Sequence, residues 1–344
     1  MSSMNDLSLL PVARSPLAMP AEELVAALKA AAEPTRLRIL LLLRGGELSV
    51  KDLTLILGQS QPRLSRHLKL LVEAGLVERF REGSWVYFHL SDRTEGGRLA
   101  QSILAVTDAA EPRFVRDRER AEALKREREQ GAQRYFDAHA GEWDELRCLH
   151  ASESHVEAAI VELFGAGPYR LLVDLGTGTG RMLEILAGRF ERALGLDLNQ
   201  SMLAYARSRV DRLGLSNIQV RHGNLYDLSV ADGEADVVVM HQVLHYLSEP
   251  QGAIAEAARV LRAGGRLLIV DFAPHDLEFL REEHAHERLG FATETIAGWL
   301  VEAGLLLTHS RDLAGGSGNE DARLTVSLWL AEKPPGPFNN SQAV

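Results

Sequence analysis

The sequence predicts a multidomain chain of two classes: a small, mainly helical module closed by a β-hairpin, then a larger α/β domain on a mostly parallel sheet. Three observations predict it. A chain of 344 residues exceeds the roughly 100–200 residues of an ordinary domain. Up to about residue 104, apolar residues recur at helical spacing and end in two short alternating runs, whereas beyond about residue 135 short apolar strands alternate with helical stretches. Charge divides the same way: residues 1–130 hold 20 Lys/Arg against 18 Asp/Glu, and residues 131–344 hold 18 against 30. Asymmetry of that kind points to two different jobs.

Composition excludes several classes. With 46% hydrophobic and 25% charged residues the chain is ordinary globular material. Its longest apolar run, residues 39–43, is far short of the ~20 residues that cross a bilayer. No basic segment followed by an apolar core opens the sequence, so neither a membrane span nor a secretory signal is expected. One cysteine, Cys148, leaves no internal disulfide and no cysteine-cluster metal site, which points to a reducing cytoplasm. Residues 1–20, with three prolines, and residues 333–344 read as tails without a core.

Residues 21–110 make the first module. Leu24, Leu28, Ala31 and Ala32 share one helical face. Pro34 suits the first turn of a second helix, where its missing N–H costs little, and Leu37 with residues 39–43 supplies that helix's core. Ser49 is an N-cap for a third helix through Leu53, Ile56 and Leu57, closed by Gly58. Ser60 caps a fourth, with Leu64, Leu68, Leu71 and Val72 inward and Gly75 at its end. Strands at 77–81 and 85–90 flank Glu82-Gly83-Ser84 as a hairpin turn, and a last helix covers residues 98–110.

Polar and basic groups gather at the start of the fourth helix. Ser60, Gln61, Arg63, Ser65, Arg66, His67 and Lys69 avoid its apolar face, and Arg79 and Arg81 stand on the hairpin. Such a helix can read base edges in the major groove while hydroxyls and guanidinium groups hold phosphates. The same groups also suit a merely solvated surface. The order of segments separates the two. Ala32-Glu33-Pro34-Thr35-Arg36-Leu37-Arg38-Ile39-Leu40, Glu47-Leu48-Ser49-Val50-Lys51-Asp52-Leu53, Ser65-Arg66-His67-Leu68-Lys69, Gly75-Leu76-Val77 and Gly83-Ser84-Trp85-Val86-Tyr87-Phe88 together resemble the ArsR family of winged helix-turn-helix repressors, over about 80 residues. The resemblance implies a homodimer formed by the module's first and last helices on a pseudo-palindromic double-stranded DNA operator. It sets Arg63, Ser65, Arg66 and His67 where family members meet bases and phosphates. The metal-sensing members' cysteine pair would fall in residues 47–52, where Ser49 and Lys51 stand, and residues 98–110 hold no histidine. Metal sensing is therefore not expected.

Residues 111–134 are dense in charge of both signs, with Arg118, Glu122 and Arg126 spaced i, i+4. They read as a solvated linker helix, on the order of 36 Å long at ~1.5 Å per residue, or as a dimer-contacting one.

Residues 135–332 form the second domain. Apolar strands at 171–175, 193–198, 218–220, 237–240 and 267–271 alternate with helices, which implies a parallel sheet covered on both faces. Residues 305–313 and 324–330, joined by the loop 315–321, read as an antiparallel edge hairpin, for seven strands in all. The first strand runs into Gly176-Thr177-Gly178-Thr179-Gly180-Arg181, without the G-x-G-x-x-G spacing of a dinucleotide loop. Asp174 there would repel a phosphate and attract an ammonium group. Asp197, 19 residues past Gly178, can accept both hydroxyls of a ribose.

With Ser201-Met202-Leu203, Gly223-Asn224-Leu225, His241-Gln242-Val243-Leu244-His245 and Leu261-Arg262-Ala263-Gly264-Gly265, these segments resemble class I S-adenosylmethionine (SAM)-dependent methyltransferases over about 200 residues. The resemblance implies a Rossmann-like fold. It puts Asp174, Gly176, Thr177, Gly178 and Gly180 around the methionine part of SAM, Asp197 at the ribose and Met202 on the adenine, with Leu198, Leu225 and His241 also among the cofactor's contacts. Asn224 falls where an Asp commonly accepts from the adenine amino group, a bond its carbonyl oxygen can still accept. Tyr135, Phe136 and Trp143 resemble the lid of quinone-biosynthesis methyltransferases, which implies a small-molecule acceptor. The place of the Pro-Pro-aromatic run of nucleic-acid amino-methyltransferases holds His241-Gln242-Val243-Leu244 instead, and one cysteine is too few for arsenite methylation. His241, His245 and His275 stand at or beyond strand ends, where α/β sites form. They are candidate general bases as well as ordinary structural histidines. Two functions compete: a DNA-binding regulator whose second domain methylates a small acceptor and ties operator binding to SAM or its product S-adenosylhomocysteine, and a sensor of these ligands that turns nothing over.

Overall fold

The computed structural model describes residues 19–82, 85–91, 94–143, 153–165, 167–313 and 324–335. Most of both expected tails, Gly83 and Ser84 of the hairpin turn, Asp144, Cys148 and the loop 315–321 lie outside the described residues. The chain divides into two compact units, Met1–Arg81 with Trp85–Lys125, and Glu82–Ser84 with Arg126–Val344. No described helix is long and apolar enough to cross a membrane.

In the first unit, α1 (Ala21–Ala31), α2 (Pro34–Leu43), α3 (Val50–Leu57), α4 (Gln61–Glu73) and α5 (Glu95–Ala105) enclose one core with a small sheet. That sheet holds β1 (Leu48–Ser49), β2 (Val77–Glu82) and β3 (Trp85–Leu90) in the order β1-β3-β2. Pro34 opens α2, as its missing donor allows. Ser49 and Asp52 form a reciprocal capping box, Asp52 N donating to Ser49 Oγ at 3.2 Å and Ser49 N to Asp52 Oδ2 at 2.9 Å. Gly58 closes α3 in the left-handed region. Ser60 occupies the N-cap position of α4 without a side-chain cap bond.

The α1 face differs from expectation. Ala27, Ala30 and Ala31 are buried, while Leu24, Val25 and Leu28 are 36%, 48% and 44% exposed. The alanines let the helix lie close to its neighbours, and the leucine stripe turns outward. Glycine performs a similar service on α5, where a Cβ on Gly97 would lie 1.6 Å from the Ser91 carbonyl oxygen.

The charged segment and the expected lid aromatics Tyr135 and Phe136 share one helix, α6 (Pro112–His139). Its first half is held within the first unit. Arg38 grips Asp117 through Nε and Nη2 at 2.6 and 2.7 Å, and Arg120 Nη1 donates to Ile56 O at 3.0 Å.

The second unit contains α7 (Glu153–Phe164), β4 (Tyr169–Leu175), α8 (Arg181–Ile185), β5 (Phe190–Asp197), α9 (Gln200–Arg212), β6 (Ile218–His222), β7 (Ala235–His241) and α10 (Pro250–Val260). These are followed by β8 (Leu261–Phe272), α11 (Phe279–Glu283), α12 (Thr293–Glu302), β9 (Leu306–Leu313) and β10 (Val326–Glu332). The sheet order is β6-β5-β4-β7-β8-β10-β9. β6, β5, β4, β7 and β8 pair in parallel, and β10 runs antiparallel between β8 and β9. Alternate residues of β4 enter different cores, Leu171, Val173 and Leu175 on one face and Leu172 on the other, which is why the strand reads as a continuous apolar run. β8 begins six residues before the expected 267, because Gly264 and Gly265 exchange backbone bonds with Lys333 at 2.8 and 2.9 Å. Chain order reverses across β4, with β5 on one side and β7 on the other. This is the switch point where open α/β sheets make their crevice.

Candidate functional site

At that crevice β4 ends in a turn tied on both sides. Gly176 N and Thr177 N donate to Leu196 O at 2.9 Å, and Thr177 Oγ1 donates to Asp174 Oδ2 at 2.6 Å. Gly176 has φ 73°, and a Cβ there would meet Val243 Cγ2 at 2.4 Å, so only glycine fits. Gly178 N donates to Asp197 Oδ2 at 2.9 Å, and Asn199 N to Asp197 Oδ1 at 2.8 Å. Burial pushes the Asp197 carboxyl up, against the N–H bonds of Asn199 and Gly178 that favour its ionised form. Asn199 also caps α9 through Met202 N at 2.9 Å, and its Nδ2 donates to Gln133 Oε1 at 3.1 Å and Asp137 Oδ1 at 2.9 Å on α6.

These elements line a cavity that opens to solvent. Of the sequence-predicted residues, Gly176, Thr177, Gly178, Asp197, Leu198, Met202, Leu225, His241, Phe136 and Trp143 line it. Asp174, Gly180 and Asn224 are not among its described lining. Asp174 is buried against Thr177, Gly180 packs on Ala206, and Asn224 is exposed, its Oδ1 accepting from Tyr226 N at 3.0 Å. Ala132, Gln133, Gln242, Val243 and Tyr246 line the cavity without having been expected. Gln242 adopts φ 50°, a conformation costing about 1–2 kcal/mol for a residue with a Cβ. Such strain collects at functional sites, yet no composition or spacing signals it.

The wall suits the parts of SAM. Asp197 offers a carboxylate to ribose hydroxyls, Leu198, Met202 and Leu225 give apolar surface for a flat base, and the rings of Phe136, Trp143 and Tyr246 can face a cationic sulfonium. Among the described residues the one guanidinium in the wall, Arg181, is paired with Glu157 at 2.6 Å and Glu184 at 2.8 Å.

The histidines separate. His241 is 7% exposed at the end of β7, in the cavity at the switch point. His245 lines a second cavity beside it, with Tyr135. His275 lines neither. Its Nδ1 accepts from Leu277 N at 3.3 Å, and burial, with charge from His245 and Arg281, holds the ring down to about 4. Among the described residues no three His, Cys, Asp or Glu side chains come together as metal ligands.

In the first unit, Ser60, Gln61, Arg63, Ser65, Arg66 and Lys69 are exposed on α4, as are Arg79 and Arg81 on the hairpin. Lys69 lies 3.7 Å from Glu73. His67 differs: it is half-buried, with Nδ1 3.6 Å from Glu33, and burial lowers its pKa despite that carboxylate.

Residues 173–269 match the family model described as methyltransferase domain, and residues 33–79 match that of bacterial regulatory protein, arsR family. Phosphatidylethanolamine N-methyltransferase of Cereibacter sphaeroides is 32% identical over 168 residues, which cover 48% of this chain and 76% of that protein. The chain belongs to the class I SAM-dependent methyltransferases. An ArsR-family helix-turn-helix precedes its methyltransferase domain. An arsenite methyltransferase of Aquipseudomonas alcaligenes is 36% identical over 110 residues, covering 29% of this chain and 32% of that protein. The chain spans 36%, 58% and 32% of the length of three of the curated relatives it matches. Among solved structures, the geranyl diphosphate C-methyltransferase of Streptomyces coelicolor aligns with TM-score 0.46 and 18% identity, over 53% of this chain and 79% of that one.

Proposed function

We propose that this methyltransferase-family chain is a DNA-binding transcriptional regulator, a repressor, whose second unit binds SAM, transfers its methyl group to a small acceptor, and ties operator affinity to SAM or S-adenosylhomocysteine. The observation that carries it is the crevice at the switch point, where a glycine turn, the carboxylate of Asp197 and the rings of Phe136, Trp143 and Tyr246 line one cavity. SAM supplies an electrophilic methyl group. The chain's own residues anchor the ribose (Asp197), shape the turn (Gly176, Gly178), flank the base (Leu198, Met202, Leu225) and exclude water (Phe136, Trp143, Tyr246). The exposed basic face of α4 and the hairpin supports DNA binding, and the outward stripe of Leu24, Val25 and Leu28 supports pairing of two chains through α1 and α5.

Coupling requires each ligand to prefer one state of the chain, and a tenfold change in operator affinity corresponds to about 1.4 kcal/mol of preference. The test is operator binding with and without SAM and S-adenosylhomocysteine, alongside Asp197→Ala. The proposal expects a ligand-dependent shift that Asp197→Ala removes. Equal affinity in all conditions refutes the coupling, and SAM binding without methyl transfer to any cell extract favours a sensor.

A further inference from the structure

A smaller cavity beside the cofactor site shares Trp143, Gln242 and Tyr246 with it. Its other walls include Tyr135, Phe272, His245 and His286, and its described lining contains no Lys, Arg, Asp or Glu. A charged acceptor would find no counter-charge there, whereas a flat ring finds rings to pack on.

One imidazole in this wall is set up for proton chemistry. His245 is 1% exposed, and its Nδ1 lies 2.7 Å from Asp271 Oδ1. Asp271 itself is fully buried and also accepts from Leu244 N at 3.0 Å and Phe272 N at 2.8 Å. A carboxylate surrounded by N–H donors accepts throughout, so Nδ1 carries the imidazole proton and Nε2 keeps a lone pair. The ring is fixed: its centroid lies 4.1 Å from that of Tyr246 and 4.2 Å from that of His286, and its own carbonyl accepts from Glu287 N and Arg288 N. The groups around it are Asp271 from β8, His275 just beyond β8, Tyr246 from the same turn, and His286 after α11. Tyr135 and His284, hydrogen-bonded at 2.7 Å, also line the wall. Burial raises the Tyr135 and Tyr246 hydroxyls, so neither competes as a base.

We propose that this second cavity is the acceptor subsite, that it takes a planar aromatic alcohol (a phenol or catechol), and that His245 Nε2 removes the hydroxyl proton. The inference rests on the methyltransferase reading above. The O–H proton passes to Nε2. The oxygen's electron pair bonds to the methyl carbon as the C–S bond breaks with its pair to sulfur, and the proton on His245 leaves to water. A phenol, ionising near 10 as tyrosine does, is acidic enough to give up its proton to a base as the bond to methyl forms, whereas an aliphatic alcohol is far too weak an acid.

The test uses the full chain loaded with S-adenosylhomocysteine, whose binding is measured first by calorimetry, and 4-nitrophenol as a chromophoric probe. Nitrophenol should bind, and its phenolate absorbance should develop at lower pH in the complex than free. His245→Gln should leave S-adenosylhomocysteine affinity within about threefold and abolish that shift. With SAM and catechol, it should lower kcat by about 10²–10⁴ with KM little changed. His284→Trp, which fills the cavity from its wall, should block nitrophenol but not S-adenosylhomocysteine. If S-adenosylhomocysteine binds and nitrophenol does not, the acceptor assignment falls while the methyltransferase reading stands. If nitrophenol ionises alike in wild type and His245→Gln, the base assignment falls. If S-adenosylhomocysteine itself does not bind, both readings fall.

Discussion

Replacing Gly176 with alanine should damage the second unit through two separable causes. The backbone stands at φ 73°, and the new Cβ would come within 2.4 Å of Val243 Cγ2 and 2.9 Å of its Cβ. A left-handed non-glycine residue costs about 1–2 kcal/mol, and overpacking a tight site costs about 1–3 kcal/mol. Together Gly176→Ala should lose about 2–5 kcal/mol, a large share of the ~5–15 kcal/mol that holds a domain. Val243→Ala alone should lose about 1–2 kcal/mol as two methyl groups leave the packing. The double variant loses the 2.4 Å clash with Cγ2 but keeps the 2.9 Å approach to Cβ, so it should recover part of the packing cost, about 1–2 kcal/mol relative to the sum of the single variants. Urea unfolding followed by tryptophan fluorescence suits the measurement, because Trp143, Trp299 and Trp329 lie in the second unit and Trp85 alone in the first. S-Adenosylhomocysteine affinity should fall with Gly176→Ala and return in part in the double variant. Coupling within about 0.3 kcal/mol of zero would refute the contact argument.

Three further outcomes follow from other sites. Asp117→Ala strands the Arg38 guanidinium and should destabilise the first unit by about 2–3 kcal/mol, less than a fully buried pair because Arg38 keeps 20% exposure; removing both partners should restore part of it in hydrogen exchange. Arg63→Ala and Arg66→Ala should each cost about 1–3 kcal/mol of operator affinity, while Arg79→Ala should flatten the salt dependence by about one phosphate contact; unchanged affinity in all three removes α4 from the interface. His275, held at about 4 against an ordinary 6.5, binds its proton more readily unfolded. Its contribution is therefore complete above about 6.5 and lost as pH falls through about 4. The loss is about 2–3 kcal/mol after allowance for solvent that reaches the ring, and His275→Asn should flatten the acid limb of a stability–pH curve.

The parallel sheet was legible because β4 and β7 bury both faces and so read as unbroken apolar runs. Asp197 was legible because a strand end and a fixed interval from the glycine turn define its place. The bond from the Thr177 hydroxyl to Asp174, three residues back, is a local contact that the strand-end position of the acid does not announce. Asn224 Oδ1 accepts from Tyr226 N, a local turn that no motif records. Helical spacing marks Leu24 and Leu28 as one apolar face but does not say whether the same chain covers it. Gln242 and Tyr246 escaped because their importance lies in backbone conformation and in two cavities meeting, and neither leaves a trace in spacing.

The partners of α6 also carry a message about the order in which the chain assembles. Asp117 and Arg120 bind Arg38 and the Ile56 carbonyl, which precede them, whereas Gln133 and Asp137 bind Asn199, which follows them by 66 and 62 residues. During synthesis the first half of the helix meets partners already made, and the second half waits until β5 and the start of α9 have emerged. Vectorial folding of this kind favours completion of the helix-turn-helix unit first. A ribosome-bound chain stopped shortly before residue 199 should therefore present a finished ArsR-type module with the far half of α6 still undocked.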